Sequence, residues 1–198
     1  MEFSSIVIIG LGFMGGSLAM AIKKAGFKGI VVGVARNEDN LRRAKERGII
    51  DEYKTSPQEG VGDSDLVILS TGIGSFKNIL RSIRDRLKKG TIVSDIGSVK
   101  GELVEQMESM MPEGVSFVGA HPIAGSERKG VDEAFPELYR GCKCIITPTD
   151  KTDEDALRKI EDFWRFIGAE PVEMDCYEHD RIFAALSHFP HVLAYALV

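Results

Sequence analysis

The segment GAHPIAGSE (119–127) sets an imidazole, His121, five and six residues ahead of a hydroxyl and a carboxylate, Ser126 and Glu127. A neutral imidazole titrates near pH 6.5 and can take a proton under ordinary conditions, so His121 is a candidate general base. A second loaded segment, SDIGSVK (94–100), offers the hydroxyl of Ser98. Plainer roles exist for both: Ser98 could cap the helix that follows, and His121 could be an ordinary loop histidine before a proline. Near the end of the chain DCYEHD (175–180) and LSHFPH (186–191) add further imidazoles. His188 and His191 stand three apart and share one helical face. A metal site there lacks a third ligand, so no metal is expected. His179 or His188 is read as satisfying local hydrogen bonds.

A third segment could hold a cofactor. VIIGLGFMGGSLA (7–19) places glycines at 10, 12 and 15 directly after a short apolar run and at the start of a helical pattern. In that context Gly10 permits a tight turn, Gly12 lets the backbone approach a pyrophosphate, and Gly15 lets helix pack on strand. Amides from the following turn would face the phosphates. Candidate cofactor residues are therefore Gly10, Leu11, Gly12, Phe13, Met14 and Gly15, with Ser70 at the end of a later apolar run. About 20 residues past the loop, where an NAD enzyme usually carries Asp or Glu, stand Ala35 and Arg36. An absent carboxylate removes repulsion against a 2′-phosphate and Arg36 could pair with one. The cofactor is thus read as NAD(P), leaning to NADP. Glu38 or Asp39 serving the ribose of NAD is the other possibility.

These loops need a scaffold. Short apolar runs at 5–10, 30–34, 65–70, 91–94, 115–118, 144–147 and 171–174 alternate with helical patterns at 17–25, 39–48, 76–88, 100–109, 153–167 and from 176 onward. Continuous apolar strands separated by helices indicate a parallel sheet covered on both faces. The expected fold is α/β, a Rossmann-like doubly wound sheet. Ligands bind beyond the carboxyl ends of the strands in such sheets, and all three loaded segments fall there. Asp175 with Glu178 reads as a capping box, and Pro190 should kink or restart the helix it interrupts.

Composition narrows the class. The 198 residues carry 25 basic and 30 acidic groups, a net charge of −5, with no basic block to drive nucleic-acid binding. At 43% hydrophobic the chain can bury a core. No apolar run nears the roughly 18 residues of a membrane span, and the first ten residues lack a basic n-region. Three cysteines without a CxxC pair encode neither a disulfide framework nor a thiolate zinc site. A soluble cytoplasmic protein with a small-molecule substrate is expected.

The motifs GLGFMGGSLA (10–19), SDIGSVKGELV (94–104), FVGAHPIAGSE (117–127) and LSHFPHVLA (186–194) resemble the prephenate/arogenate dehydrogenases of tyrosine biosynthesis. That resemblance implies oxidative decarboxylation of a cyclohexadienol with hydride transfer to NAD(P). It implies His121 as the catalytic histidine, Ser98 hydrogen-bonding it or the substrate, and Ser126, Glu127 and His191 on the substrate side. It also implies residues 1–174 as the dinucleotide domain and 175–198 as the opening of a helical domain that makes a homodimer and supplies an arginine for the substrate carboxylate. On this reading the chain is truncated, binds dinucleotide and turns over little alone. Two rivals stand beside it. A β-hydroxyacid dehydrogenase-type enzyme would use a lysine, here Lys100, as acid/base, and a regulatory Rossmann module would bind nucleotide without turnover.

Overall fold

The computed structural model describes residues 2–197. Strands β1 (Ser5–Ile9), β2 (Ile30–Val34), β3 (Glu52–Lys54), β4 (Leu66–Leu69), β5 (Ile92–Asp95), β6 (Ser116–Pro122), β7 (Lys143–Thr147) and β8 (Glu170–Glu173) form one sheet in the order β3-β2-β1-β4-β5-β6-β7-β8. Every neighbouring pair is parallel except β6 with β7. This is the doubly wound arrangement expected from the alternating runs, with its direction of winding reversing between β1 and β4.

The continuous apolar strands are explained by two cores, one on each face. Successive side chains of a strand point to opposite sides, so Ile6 and Ile8 of β1 and Leu66 and Ile68 of β4 enter one core. Val7, Ile9, Val67 and Leu69 enter the other. The first core is covered by α1 (Phe13–Lys24), α2 (Glu38–Glu46) and later α6 (Glu154–Phe166), through Leu18, Ile22, Leu41, Ile160 and Trp164. The second is closed by α4 (Phe76–Ile83) and α5 (Gly101–Ser109), through Phe76, Leu80, Val104 and Met107. Each such side chain contributes roughly 1.5–3 kcal/mol when fully buried.

Several boundaries differ from the sequence reading. Helix α1 begins at Phe13 rather than 17, because the glycine loop itself supplies its first turn. The pattern over 76–88 ends as α-helix at Ile83 and continues as a tight turn over Arg84–Arg86. Edge strand β3 and the short helix α3 (Pro57–Gly60) were not expected, since a single tyrosine between two charged residues leaves no apolar run. Strand β6 runs on to Pro122, four residues past the apolar run, because β7 pairs with it antiparallel and opposes His121 with Ile145. His121 is therefore a strand residue, not a loop residue.

The final segment is helical, as expected: α7 (Cys176–Phe183), a π-helical turn over Ala184–His188, and α8 (Phe189–Ala196) with Pro190 in its first turn. The backbone stays helical through His188 and Phe189, so the π-helical turn lies directly before Pro190 in a continuous helical run. Asp175 caps α7 by accepting the amides of Tyr177 and Glu178 at 3.0 and 2.9 Å. Leu186, Phe189, Val192, Tyr195 and Leu197 of this segment are exposed. Among the described residues no helix is long and apolar enough to cross a membrane.

Candidate active site

The first part of the site is a cleft of about 1150 Å³ at the carboxyl ends of β1, β2 and β4, where the winding reverses. Gly10, Leu11, Gly12, Ala35, Arg36 and Ser70 all line it, as expected for a dinucleotide. Gly10 has φ +107°, and a Cβ there would meet the Ser70 carbonyl oxygen at 2.5 Å. A Cβ on Gly15 would stand 2.1 Å from the Gly10 carbonyl oxygen, so this glycine permits the close packing of α1 on the loop. Gly12 is different: a Cβ there meets nothing within 4 Å and would project into open space. It is also the N-cap of α1, which has no side-chain cap and no acid in its first turn. The first amides of α1 are thus left for an anion. Beside them, the buried Ser70 hydroxyl has no hydrogen-bond partner among the described residues. An unsatisfied buried hydroxyl costs about 1–3 kcal/mol, and a ligand in the cleft would relieve it. The residues present fit a dinucleotide.

Phe13, Met14 and Gly15 do not line the cleft. The Phe13 ring packs on Phe135, with centroids 5.9 Å apart. The Met14 carbonyl accepts the Tyr139 hydroxyl at 2.9 Å. These residues can serve a ligand through backbone amides only. At the end of β2, Asn37 accepts the Asn40 amide and caps α2. Asp39 pairs with Arg42 at 2.6 Å, and Glu38 accepts from the Tyr53 hydroxyl at 3.5 Å. Neither carboxylate lines the cleft.

The second part of the site lies two strands further along the same carboxyl edge. Buried Asp95, the last residue of β5, ties the two loaded segments together. Its Oδ1 accepts the Ala120 amide at 3.1 Å, fixing the residue before His121. Its Oδ2 accepts the Gly97 amide at 2.8 Å and the Lys100 ammonium at 2.6 Å. Lys100 also donates to the carbonyls of Gly97 and Val99, at 2.8 and 3.2 Å. Its side chain is fully buried and its three protons are committed. Lys100 is a structural cation, which removes the acid/base role that the β-hydroxyacid dehydrogenase reading assigned to it.

His121 projects from β6 against α7. Its Nδ1 lies 2.8 Å from His179 Nε2, and His179 Nδ1 lies 2.8 Å from Asp180 Oδ1. The ring of Phe183 packs on both imidazoles, with centroids 5.0 and 4.5 Å away. Burial pushes the His121 pKa down to about 3, and the Lys100 ammonium, His179 and His188 push the same way. Burial lowers His179 as well, against the opposing pull of Asp180. Both rings are therefore neutral near pH 7. His121 is an unprotonated base held on a strand end.

Ser98 is exposed and makes no hydrogen bond to His121 among the described residues. His179, not Ser98, is the partner of His121. Nor does Ser98 cap α5: Asp180 Oδ1 accepts the amide of the N-cap residue Lys100 at 2.7 Å from across the structure. Ser126 and Glu127 lie in an exposed turn past β6, where the Ser126 hydroxyl donates to Glu127 at 3.3 Å. The side chain of His191 lies outside the described residues. Sequence reasoning set His179 aside and passed over Asp180. The adjacent His-Asp pair on a helix was the available signal, but its partner is 58 residues away.

The family model described as "Prephenate dehydrogenase, nucleotide-binding domain" matches residues 18–173. A prephenate dehydrogenase of Bacillus subtilis is 33% identical over 195 residues, which are 98% of this chain and 53% of that protein. A cyclohexadienyl dehydrogenase of Zymomonas mobilis is 34% identical over 197 residues, 99% of this chain and 67% of that protein. The chain thus spans about half to two thirds of the length of these relatives. A crystal structure of prephenate dehydrogenase from A. aeolicus, in complex with hydroxyphenyl propionate and NAD+, superposes with a TM-score of 0.94 at 38% identity, covering 100% of this chain and 68% of that one.

Proposed function

The chain belongs to the prephenate dehydrogenase family through its nucleotide-binding domain, and from that premise we propose that it serves the NAD(P)-dependent oxidative decarboxylation of prephenate or arogenate. The observation that carries this reading is the placement of a neutral, half-buried His121 on the same carboxyl edge of the sheet as the glycine-lined cleft.

Each group has a role in that chemistry. The amides of the 10–15 loop and the hydroxyl of Ser70 would hold the pyrophosphate, and the end of β2 the adenosine ribose. The cleft presents Arg36 and no carboxylate there, which supports the phosphorylated dinucleotide. A bound nicotinamide would accept the hydride from the ring carbon bearing the substrate hydroxyl. His121 accepts the proton of that hydroxyl at a ring nitrogen as the carbon becomes carbonyl-like. The bond to the ring carboxylate then breaks, carbon dioxide leaves, and the ring becomes aromatic. Positioning and one proton acceptor are what the protein must supply. An anionic substrate beside His121 would raise the affinity of its imidazole for a proton, against the burial that depresses it. Ser98, Ser126, Glu127 and His191 are assigned to the substrate side.

Residues 175–198 are read as the opening of a helical domain that makes a homodimer, a reading supported by the exposed Phe189, Val192 and Leu197. Such a face is stabilised by a packing partner.

The test is a turnover assay of the enzyme including that helical domain, with prephenate and arogenate and with either dinucleotide. Dinucleotide reduction with release of carbon dioxide and formation of 4-hydroxyphenylpyruvate, or of tyrosine from arogenate, is expected. Dinucleotide binding without turnover of either substrate would favour a regulatory nucleotide-binding module.

A further inference from the structure

We propose that Asp180 and His179 are positioning residues that fix the tautomer of His121, leaving the lone pair on its Nε2 as the atom that takes the substrate proton. This rests on the reading of His121 as the general base.

The argument is one of donors and acceptors. The backbone N–H of Lys100 can only donate, so Asp180 Oδ1, 2.7 Å away, is an acceptor. The same oxygen lies 2.8 Å from His179 Nδ1, which must then carry the proton. A neutral imidazole has one N–H, so His179 Nε2 is bare and accepts. Among the described residues its partner is His121 Nδ1 at 2.8 Å, which must therefore donate. That places the single proton of His121 on Nδ1 and leaves Nε2 with its lone pair. The opposite tautomer of His121 would need a proton on His179 Nε2. His179 would then either face the Asp180 carboxylate with a bare Nδ1, two acceptors 2.8 Å apart, or carry a positive charge. Charging His179 is opposed by its complete burial and by the Lys100 ammonium.

Among the described residues, the charged and titratable groups facing the pair are Lys100, Asp95, Asp180 and His188. From the turn after β5, Lys100 is neutralised by Asp95. From α7, Asp180 is the acceptor. From the π-helical turn, His188 adds to the lowering of the His121 pKa. Phe183 packs edge-on to His121 and holds both rings in place. Gly101 is part of the arrangement, because a Cβ there would stand 2.7 Å from Asp180 Oδ2.

The proton balance closes. The O–H bond of the substrate breaks, an Nε2–H bond forms on His121, and the resulting imidazolium donates its Nδ1–H to His179 with Asp180 behind it. The proton leaves Nε2 for solvent after product departs. Neither His179 nor Asp180 touches the reacting atoms.

Two measurements test this. In protein labelled with ¹⁵N-histidine, the nitrogen chemical shifts of His121 should show a protonated Nδ1 and a bare Nε2 at neutral pH. A protonated Nε2 overturns the proposal, whatever the enzyme's substrate proves to be. In turnover assays, His179→Leu removes the acceptor and should lower kcat by about 10²-fold with the dinucleotide Kd unchanged. His179→Gln, whose amide can accept from His121 and donate to Asp180, should restore kcat to within a few-fold of wild type. Wild-type turnover in His179→Leu, or a His179→Gln as slow as the leucine variant, overturns the role of His179. If the leucine variant does not fold, the glutamine variant and the nitrogen shifts decide. Failure of the wild-type enzyme to turn over either cyclohexadienol refutes the proposed function, while the shifts still report on the tautomer.

Discussion

Gly12→Val separates a glycine kept for a ligand from glycines kept for the fold. The Gly12 backbone has φ −90° and ψ −156°, conformations open to any residue, and a Cβ there meets nothing within 4 Å. Valine is a poorer N-cap than glycine, costing about 1 kcal/mol. Against this, losing a glycine from the unfolded chain stabilises by about 0.4–1 kcal/mol. The two nearly offset, so Tm should stay within about 4 °C of wild type. Binding should respond quite differently. The isopropyl group would occupy the space a pyrophosphate needs in order to reach the first amides of α1. Hydrogen bonds to a charged group are each worth about 1.5–3 kcal/mol, so losing two of them weakens dinucleotide binding by roughly 10²–10⁴-fold. Gly15→Ala is the control for the opposite case. Its Cβ would sit 2.1 Å from the Gly10 carbonyl oxygen, backbone against backbone, and the chain should lose about 1–3 kcal/mol or more. Calorimetric titration with NAD+ and NADP+, beside thermal melts, reads both effects. A Gly12→Val protein that binds with wild-type affinity would show that the pyrophosphate does not pass over Gly12, and the cleft would lose its assignment.

Three further outcomes are expected. Ala35→Asp should shift the ratio of dinucleotide affinities towards NAD by about 10–10²-fold, the worth of one charged hydrogen bond to a ribose hydroxyl; an unchanged ratio means that the end of β2 does not choose the cofactor. His121 has a native pKa lowered from 6.5 to about 3, so the unfolded chain binds a proton below pH 6.5 that the native chain refuses until far lower, and stability is lost as pH falls through that window. In urea unfolding, His121→Asn should escape this loss and gain on wild type by up to about 3 kcal/mol between pH 7 and pH 4; a difference independent of pH would place His121 in water-like surroundings. Lys100→Met should destabilise the protein by about 3–5 kcal/mol, because it leaves the buried Asp95 carboxylate unpaired, and a denaturant midpoint close to wild type would mean that Asp95 accepts a proton at little cost.

Some of this protein was legible in the chain alone, and the reason is locality. The apolar runs at β1, β2 and β4 and the glycines at 10, 12 and 15 act within a few residues of themselves, so strand, turn and helix follow from sequence order. The carboxyl-edge location of Ser98 and His121 followed from the same order, since each comes after a readable strand. What the sequence could not decide depends on contacts between distant segments. Strand β3 exists because Glu52, Tyr53 and Lys54 meet the edge of β2. His121 sits on a strand because β7 arrives antiparallel beside it. Lys100 looks like any loop lysine until Asp95 and two carbonyls enclose it. The His121–His179–Asp180 chain joins β6 to α7 across 58 residues, and Asp180 also caps a helix 80 residues before it. Tautomer and charge are properties of such enclosed neighbourhoods. Water would otherwise supply the hydrogen bonds and erase the preference, so it is the packing of α7 over β6 that makes His121 a base with one defined lone pair.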